Sequence, residues 1–269
     1  MTFTFQRYSP GGNDFEAGSR HSVTCSDDGI LSEDYSRQLV PYAYQVLSKL
    51  PGTDITNVID TLSDDELTAI AREISHIFKQ LREIPNNGRF GDKLGDDSKL
   101  LESWTDCMEE LVNNAKERGL QTGVMDGDLE SLLNEVFDRY RDYFNHVEAT
   151  TYFDDMSSKN VMVHEGEFSG LVDLDALAQG DPLETIGRIK ASWYGTRHGE
   201  AYTNAVMDAE VLSPEQRKIV TVYALLNRIS WSCENGIQFN QNTSGTVDWD
   251  KAETDKRIVK ELAEELEKS

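Results

Sequence analysis

Residues 151–182, TYFDDMSSKNVMVHEGEFSGLVDLDALAQGDP, constrain the fold of this chain more than any other stretch. Three polar residues punctuate an otherwise apolar, β-prone run: Asp155, Asn160 and Asp173. Val161, Met162 and Val163 form one short strand pattern, Glu165-Gly166 can turn, and residues 168–174 form a second apolar run. Such a hairpin brings Asn160, at its entry, back beside Asp173, at its exit. Asp155 lies on the loop just before it. Two carboxylates and an amide thus converge on a rigid two-stranded support.

That constellation suits phosphoryl transfer. One carboxylate orients or accepts the proton of an attacking hydroxyl, while the second and the amide oxygen are hard ligands for a Mg²⁺ ion that bridges the phosphates. A D-x-x-x-x-N match alone arises easily in an acidic chain. The hairpin, Asp173 and the following Gly180-Asp181-Pro182 make this one more specific. The stretch resembles the aminoglycoside phosphotransferase family of the kinase-like fold, whose members read H-G-D-x-x-x-x-N, strand, turn, I-D-W/F-E/D, G-D-P. Here Phe153-Asp154-Asp155 stands in place of H-G-D, followed by Asn160, Val172-Asp173-Leu174-Asp175 and Gly180-Asp181-Pro182. The resemblance implies Asp155 as catalytic base, Asn160 and Asp173 as Mg²⁺ ligands, and ATP as phosphoryl donor. Asp175 is open between a metal or supporting carboxylate and a loop acid that caps backbone. Asp181 reads as structural, since Asp181-Pro182-Leu183-Glu184 has the form of a helix start.

The N-terminal part carries less. Residues 2–5 and 21–25 read as short strands, and residues 9–14 as a turn without phosphate-loop spacing. No Lys precedes Lys49; Arg7, Arg20 and Arg37 are the only Lys or Arg residues before it. Residues 40–50, VPYAYQVLSKL, read as a buried strand ended by Pro51-Gly52. By the resemblance this is the strand and hinge joining two lobes. The backbone of Ser48 and Leu50 would then meet the adenine, and residues 22–27, with the turn at Asp28-Gly29, would be the hairpin partner. The segment is shorter than the family's usual first lobe. The expected organisation is a truncated N-terminal lobe with its hinge strand at residues 1–50, and a helical phosphotransferase lobe at residues 51–269.

Helical patterns dominate from residue 63 onward. Ser63-Asp64-Asp65-Glu66 is a capping box, followed by apolar residues at helical spacing from Leu67 to Leu81. Leu100 to Ala115 predicts a second helix with Gly119 at its C-terminal cap, and Leu129 to Phe144 a third. Ser213-Pro214-Glu215-Gln216 opens another, with Ile219, Val222, Tyr223, Leu226 and Ile229 on its core face. The last, from Trp249 to Leu266, carries Glu and Lys expected on a solvated face. His76 reads as a satisfied or solvated histidine, and His146, which lies just before the central stretch and could approach it, lacks a second ligand at metal-binding spacing. The fold class expected is α+β: protein-kinase-like, with a reduced N-terminal β portion and a mainly helical C-terminal lobe around a catalytic-loop and metal hairpin.

Composition narrows the partners. With 49 Asp and Glu against 26 Lys and Arg, the formal net charge is -23. That argues against nucleic acid and anionic membranes; the charge reads first as solubility or adaptation to salt, and second as a field that would draw a small, cationic substrate. Three widely spaced cysteines form no disulfide or zinc pattern and fit a reducing cytoplasm. The reading is therefore an ATP- and Mg²⁺-dependent phosphotransferase acting on a small-molecule hydroxyl, an aminoglycoside or another metabolite. The alternative is a catalytically inactive, pseudokinase-like binding or regulatory module.

Overall fold

The computed structural model of the chain describes residues 3–5, 21–23, 30–42, 44–91, 99–156, 158–172, 177–239 and 244–268. The fold is α+β and kinase-like, with a small β portion at the start and a larger helical part. Two antiparallel ladders come first: β1 (Phe3–Phe5) on β2 (His21–Val23), and β3 (Ile30–Asp34) on β4 (Tyr44–Leu47). The expected turn over residues 9–14 lies outside the described residues. The partner of the hinge strand differs from the expectation. Residues 30–34 pair with β4, whereas 21–23 pair with β1. The hinge strand is also less buried than its apolar run suggested. Val46 is 45% exposed, as is its apolar neighbour on the ladder Leu31 at 68%. A two-stranded ladder has two faces, and an apolar run says nothing about whether both are covered.

Past Pro51-Gly52 the chain adds β5 (Thr53–Asp54) and two short 3-10 turns before α1 (Asp64–Arg82). The capping box forms as read. Ser63 Oγ accepts from the Glu66 amide at 3.3 Å, and the Glu66 carboxylate accepts from the Ser63 amide at 2.8 Å. Every apolar residue of the expected face, Leu67, Ile70, Ala71, Ile74, Ile77, Phe78 and Leu81, is buried. α2 (Trp104–Thr122) ends one turn later than expected. Gly123, at φ 78°, is its left-handed cap, and Gly119 sits inside the helix. There Gly119 serves packing, since a Cβ would lie 2.6 Å from Met125 Cβ and 2.8 Å from Cys233 Sγ.

α3 (Gly127–Asn145) leads into β6 (Thr150–Phe153), then the hairpin β7 (Val161–His164) and β8 (Glu167–Leu171), then β9 (Leu177–Gly180). Four helices complete the fold: α4 (Leu183–Trp193), α5 (Arg197–Ala209), α6 (Pro214–Ser232) and α7 (Trp249–Lys268). α6 is the centre of this lobe. Besides the expected face, Val220, Thr221, Ala224, Leu225 and Asn227 are buried, because α2, α3, α4 and α7 surround it. α4 packs tightly on it at Gly187, where a Cβ would stand 2.3 Å from Tyr223 Cβ. α7 turns an amphipathic face inward, with one departure from the expected pattern. Asp255 is buried and ion-paired with Arg228 and Lys251 rather than solvated. Among the described residues no helix is long and apolar enough to cross a membrane.

Candidate active site

Two ladders hold the stretch from 151 to 182. β6 pairs antiparallel with β9, from Thr150 opposite Gly180 to Phe153 opposite Leu177. β7 pairs with β8, from Val161 opposite Leu171 to His164 opposite Glu167, and β5 extends that sheet. Between the last pair, Glu165 and Gly166 both have positive φ, 51° and 82°, which suits a two-residue turn matching strand twist. The hairpin is thus as read, although β8 ends at Leu171. The β6–β9 pairing was not read from the sequence. It joins segments 27 residues apart, and LAQG has no strand signature. Gly180 is needed there because a Cβ would meet the Trp104 ring at 2.2 Å.

The loop between the ladders carries Asp154 and Asp155. Met156, fully buried, pins it to the core. Asn160 is buried, and its Nδ2 donates to the Asp155 carbonyl oxygen at 2.8 Å, closing the loop across five residues. The Val172 amide donates to the Asn160 carbonyl at 3.0 Å, so the hairpin sets the residue before Asp173 directly opposite Asn160. Asp173 and Asp175 themselves lie outside the described residues. Asp155 is half-buried. The amide nitrogen of Asn160 is committed to the loop, which leaves its oxygen as the end suited to a cation. An amide oxygen is a hard donor of the kind that Mg²⁺ takes. Among the described residues no three His, Cys, Asp or Glu side chains gather into a metal cage. Ser48 and Leu50, half-buried, follow directly on β4. His76 and His146 are exposed, His76 beside Gln80 and His146 beside the Asp142 carbonyl.

Behind the loop stands α4, whose start is anchored by Asp181. One Asp181 oxygen accepts from the Leu183 amide at 2.9 Å; the other accepts from Tyr143 Oη at 2.6 Å and Tyr223 Oη at 2.8 Å. Trp104 Nε1 in turn donates to Tyr223 Oη at 2.7 Å. Burial raises the Asp181 pKa against these hydrogen bonds. Asp181 is therefore the structural residue that the sequence suggested. One turn on, Glu184 and Arg188 project from the same face of α4. Arg188 lies 3.6 Å from Asp154 Oδ2 and 3.8 Å from Glu184 Oε1, with its guanidinium 5.5 Å from the Trp231 ring centre. Asn227 Nδ2 donates to Glu184 Oε1 at 3.0 Å. Burial pushes the Glu184 carboxyl up to about 7, aided by Asp154 and opposed by Arg188 and Asn227. Burial also works against the charge of Arg188, but Glu184 and Asp154 outweigh it and raise its pKa. This Asp154–Arg188–Glu184–Asn227 cluster was missed from sequence. The one available signal was the spacing of Glu184 and Arg188, four apart on a helix.

A separate cleft of about 180 Å³ opens between α4, α5 and α7, lined in part by Lys190, Tyr194, Glu200 and Glu265. Lys190 is two residues from Arg188, roughly 200° around the helix. The cleft therefore faces away from the Asp154–Asp155 loop.

The family described as the phosphotransferase enzyme family matches residues 27–218. No curated protein matches the sequence at a significant level. Solved structures share the fold. A thermostable mutant of aminoglycoside phosphotransferase APH(4)-Ia, in a ternary complex with AMP-PNP and hygromycin B, aligns with TM-score 0.59 at 16% identity, over 88% of this chain and 76% of that one. Wild-type aminoglycoside 2'-phosphotransferase-IIIa in complex with GDP aligns with TM-score 0.62 at 14% identity, over 89% and 76%. APH(2")-IIa in complex with gentamicin aligns with TM-score 0.54 at 11% identity, over 90% and 74%. At these identities the likeness is one of fold.

Proposed function

Because the chain belongs to the phosphotransferase enzyme family, we propose that it moves the terminal phosphoryl group of ATP to a hydroxyl of a small molecule. The observation that carries this reading is the bond from Asn160 to the Asp155 backbone carbonyl, which ties the Asn160 amide to the backbone that bears Asp155 at the mouth of a hairpin. In this reading Asp155 accepts the proton of the acceptor hydroxyl. The hydroxyl oxygen forms a bond to the γ-phosphorus as the bond to the β–γ bridging oxygen breaks, and the nucleoside diphosphate leaves. Asn160 and Asp173 would hold Mg²⁺, which supplies charge neutralisation for the phosphates when bound. The backbone of Ser48 and Leu50 would receive the base. Residues 1–50 would then serve the nucleotide, and residues 51–269 the chemistry and the acceptor.

Relatives by fold were solved with hygromycin B and with gentamicin, and an acidic chain favours such cationic sugars as acceptors. The nucleotide complexes of these relatives include both AMP-PNP and GDP, so the donor is tested with both bases. The deciding measurement is calorimetric titration with ATP and with GTP in Mg²⁺, on the chain and on Asp173→Asn, followed by turnover of Asp155→Asn. We expect nucleotide affinity to fall in Asp173→Asn by about tenfold or more, as for loss of a charged ligand. Turnover should drop by about 10²-fold or more in Asp155→Asn with binding retained. Nucleotide binding without turnover, indifferent to Asp155→Asn, would favour the non-catalytic binding module instead.

A further inference from the structure

We propose that Arg188 is a positioning residue for the candidate catalytic loop, holding Asp154 and through it the backbone that presents Asp155. The role in catalysis rests on the reading of Asp155 as base; the anchoring itself does not.

The loop from 154 to 160 is secured at one end by the Asn160 side chain and in the middle by buried Met156. Its beginning is held otherwise. Asp154 stands where the resembling motif has Gly, and it faces Arg188 of α4 at 3.6 Å. Arg188 is itself restrained from two further sides, by Glu184 one turn back and by the Trp231 ring. Glu184 is tied to α6 through Asn227, whose Nδ2 also donates to the Tyr223 carbonyl at 3.0 Å. A continuous chain of contacts thus runs from the central helix α6 through α4 to Asp154.

Physical cost argues that this cluster does more than stabilise. Sequestering charged groups from water is expensive, and the attraction between them repays this only in good geometry. Separations of 3.6 and 3.8 Å are ion pairs rather than close, directed hydrogen bonds. An apolar packing would serve stability as well. What an apolar packing cannot do is distinguish two adjacent carboxylates. Arg188 pairs with Asp154 at 3.6 Å, and that pair commits Asp154 to holding the start of the loop. It also keeps the like charges of neighbouring residues from forcing the loop open.

The test uses the full chain and the variants Arg188→Gln, Asp154→Asn, their double, and Arg188→Lys. The first readout is backbone hydrogen exchange over residues 153–160, which needs no activity. Arg188→Gln and Asp154→Asn should each speed exchange there by about tenfold, a coupling within the usual range for one ion-pair network, and the double should add nothing further. Arg188→Lys should restore part of the protection. Additive effects in the double would overturn the proposal, as would unchanged exchange in either single variant. Should Arg188→Gln fail to fold, Asp154→Asn decides alone by the same criterion. The second readout is MgATP hydrolysis with water as acceptor. Loss of kcat at unchanged KM for ATP in Asp154→Asn supports positioning, while a change in KM alone opposes it. Coupled exchange in a chain that as wild type neither binds nor turns over ATP or GTP, with water or with an aminoglycoside as acceptor, would sink the phosphotransferase reading and leave the anchor supported.

Discussion

At the residue scale, Glu184 is the group whose environment most departs from its chemistry. Its side chain is almost wholly buried, and among the described residues Oε2 has no hydrogen-bond partner, so Arg188 and Asn227 offset the burial only in part. Burial therefore lifts the carboxyl from 4.5 to about 7. The sign of the consequence follows from proton counting. Between those values the folded chain holds a proton that the unfolded chain has released, so stability falls as pH rises through the window. At pH above it the full cost is present, on the order of 3 kcal/mol for a shift from 4.5 to about 7. Glu184→Gln removes the titration. Urea titrations at a series of pH values from about 5 to 8 should show the wild type losing stability relative to this variant, with the difference flattening above the window. Asp181, also raised by burial, acts in the same direction in both proteins, so that only its coupling to Glu184 enters the difference. A pH-independent difference would mean that Glu184 stays ionised throughout. The group was invisible in the sequence because burial decides it, and burial comes from α6, some forty residues away.

At the element scale, what could be read depended on how local the signal was. The capping boxes at Ser63 and Ser213, the apolar face of α1 and the Glu165-Gly166 turn are written within a few residues, and all of them form. The β6–β9 ladder and the buried Asp255 are set by more distant chain and escaped, whereas the hinge strand's partner was assigned to residues 22–27 although the nearer β3 pairs with it. The candidate site divides the same way. The Asp155–Asn160 loop and its hairpin were legible as a motif, whereas its support from Arg188 was not. The packing of α4 against α6 offers the sharpest element-level test. Gly187 faces Tyr223 Cβ at 2.3 Å for a virtual Cβ, with α6 backbone at 3.1 Å, so neither neighbour can yield by a simple rotamer change. Gly187→Ala gains helix propensity of up to about 1 kcal/mol but must push the helices apart, at roughly 1–3 kcal/mol. The second effect should win. A fall in urea midpoint at unchanged m would confirm it, and a rise would show that the helices separate freely. Because α4 carries Arg188, the same variant should also speed hydrogen exchange over residues 153–160.

At the scale of the whole molecule, the net charge of -23 acts on stability and on ligands in predictable directions. Many Arg and Lys side chains of the described residues already pair with acids, among them Arg257 with Glu261, Arg139 with Glu135 and Lys256 with Asp126. Exposed pairs of this kind contribute about 0–1 kcal/mol each and are screened by salt, so they lose strength as salt rises. The surplus acids repel over longer distances, and that repulsion is screened too. The two effects oppose each other. Repulsion should dominate at low salt, where the Debye length is about 30 Å at 0.01 M, comparable to the size of the lobe, against about 8 Å at 0.15 M. The melting midpoint should therefore rise between these concentrations and change little beyond them. A falling midpoint would show that local pairs outweigh the surplus. The same field separates the two ligands of the proposed reaction. It draws a cationic acceptor and repels the net-negative MgATP. Over that salt range, affinity for gentamicin used as probe should weaken while affinity for MgATP holds or improves. Parallel weakening of both would mean that local contacts at the two ligands' own sites, rather than the charge of the whole chain, govern how its ligands arrive.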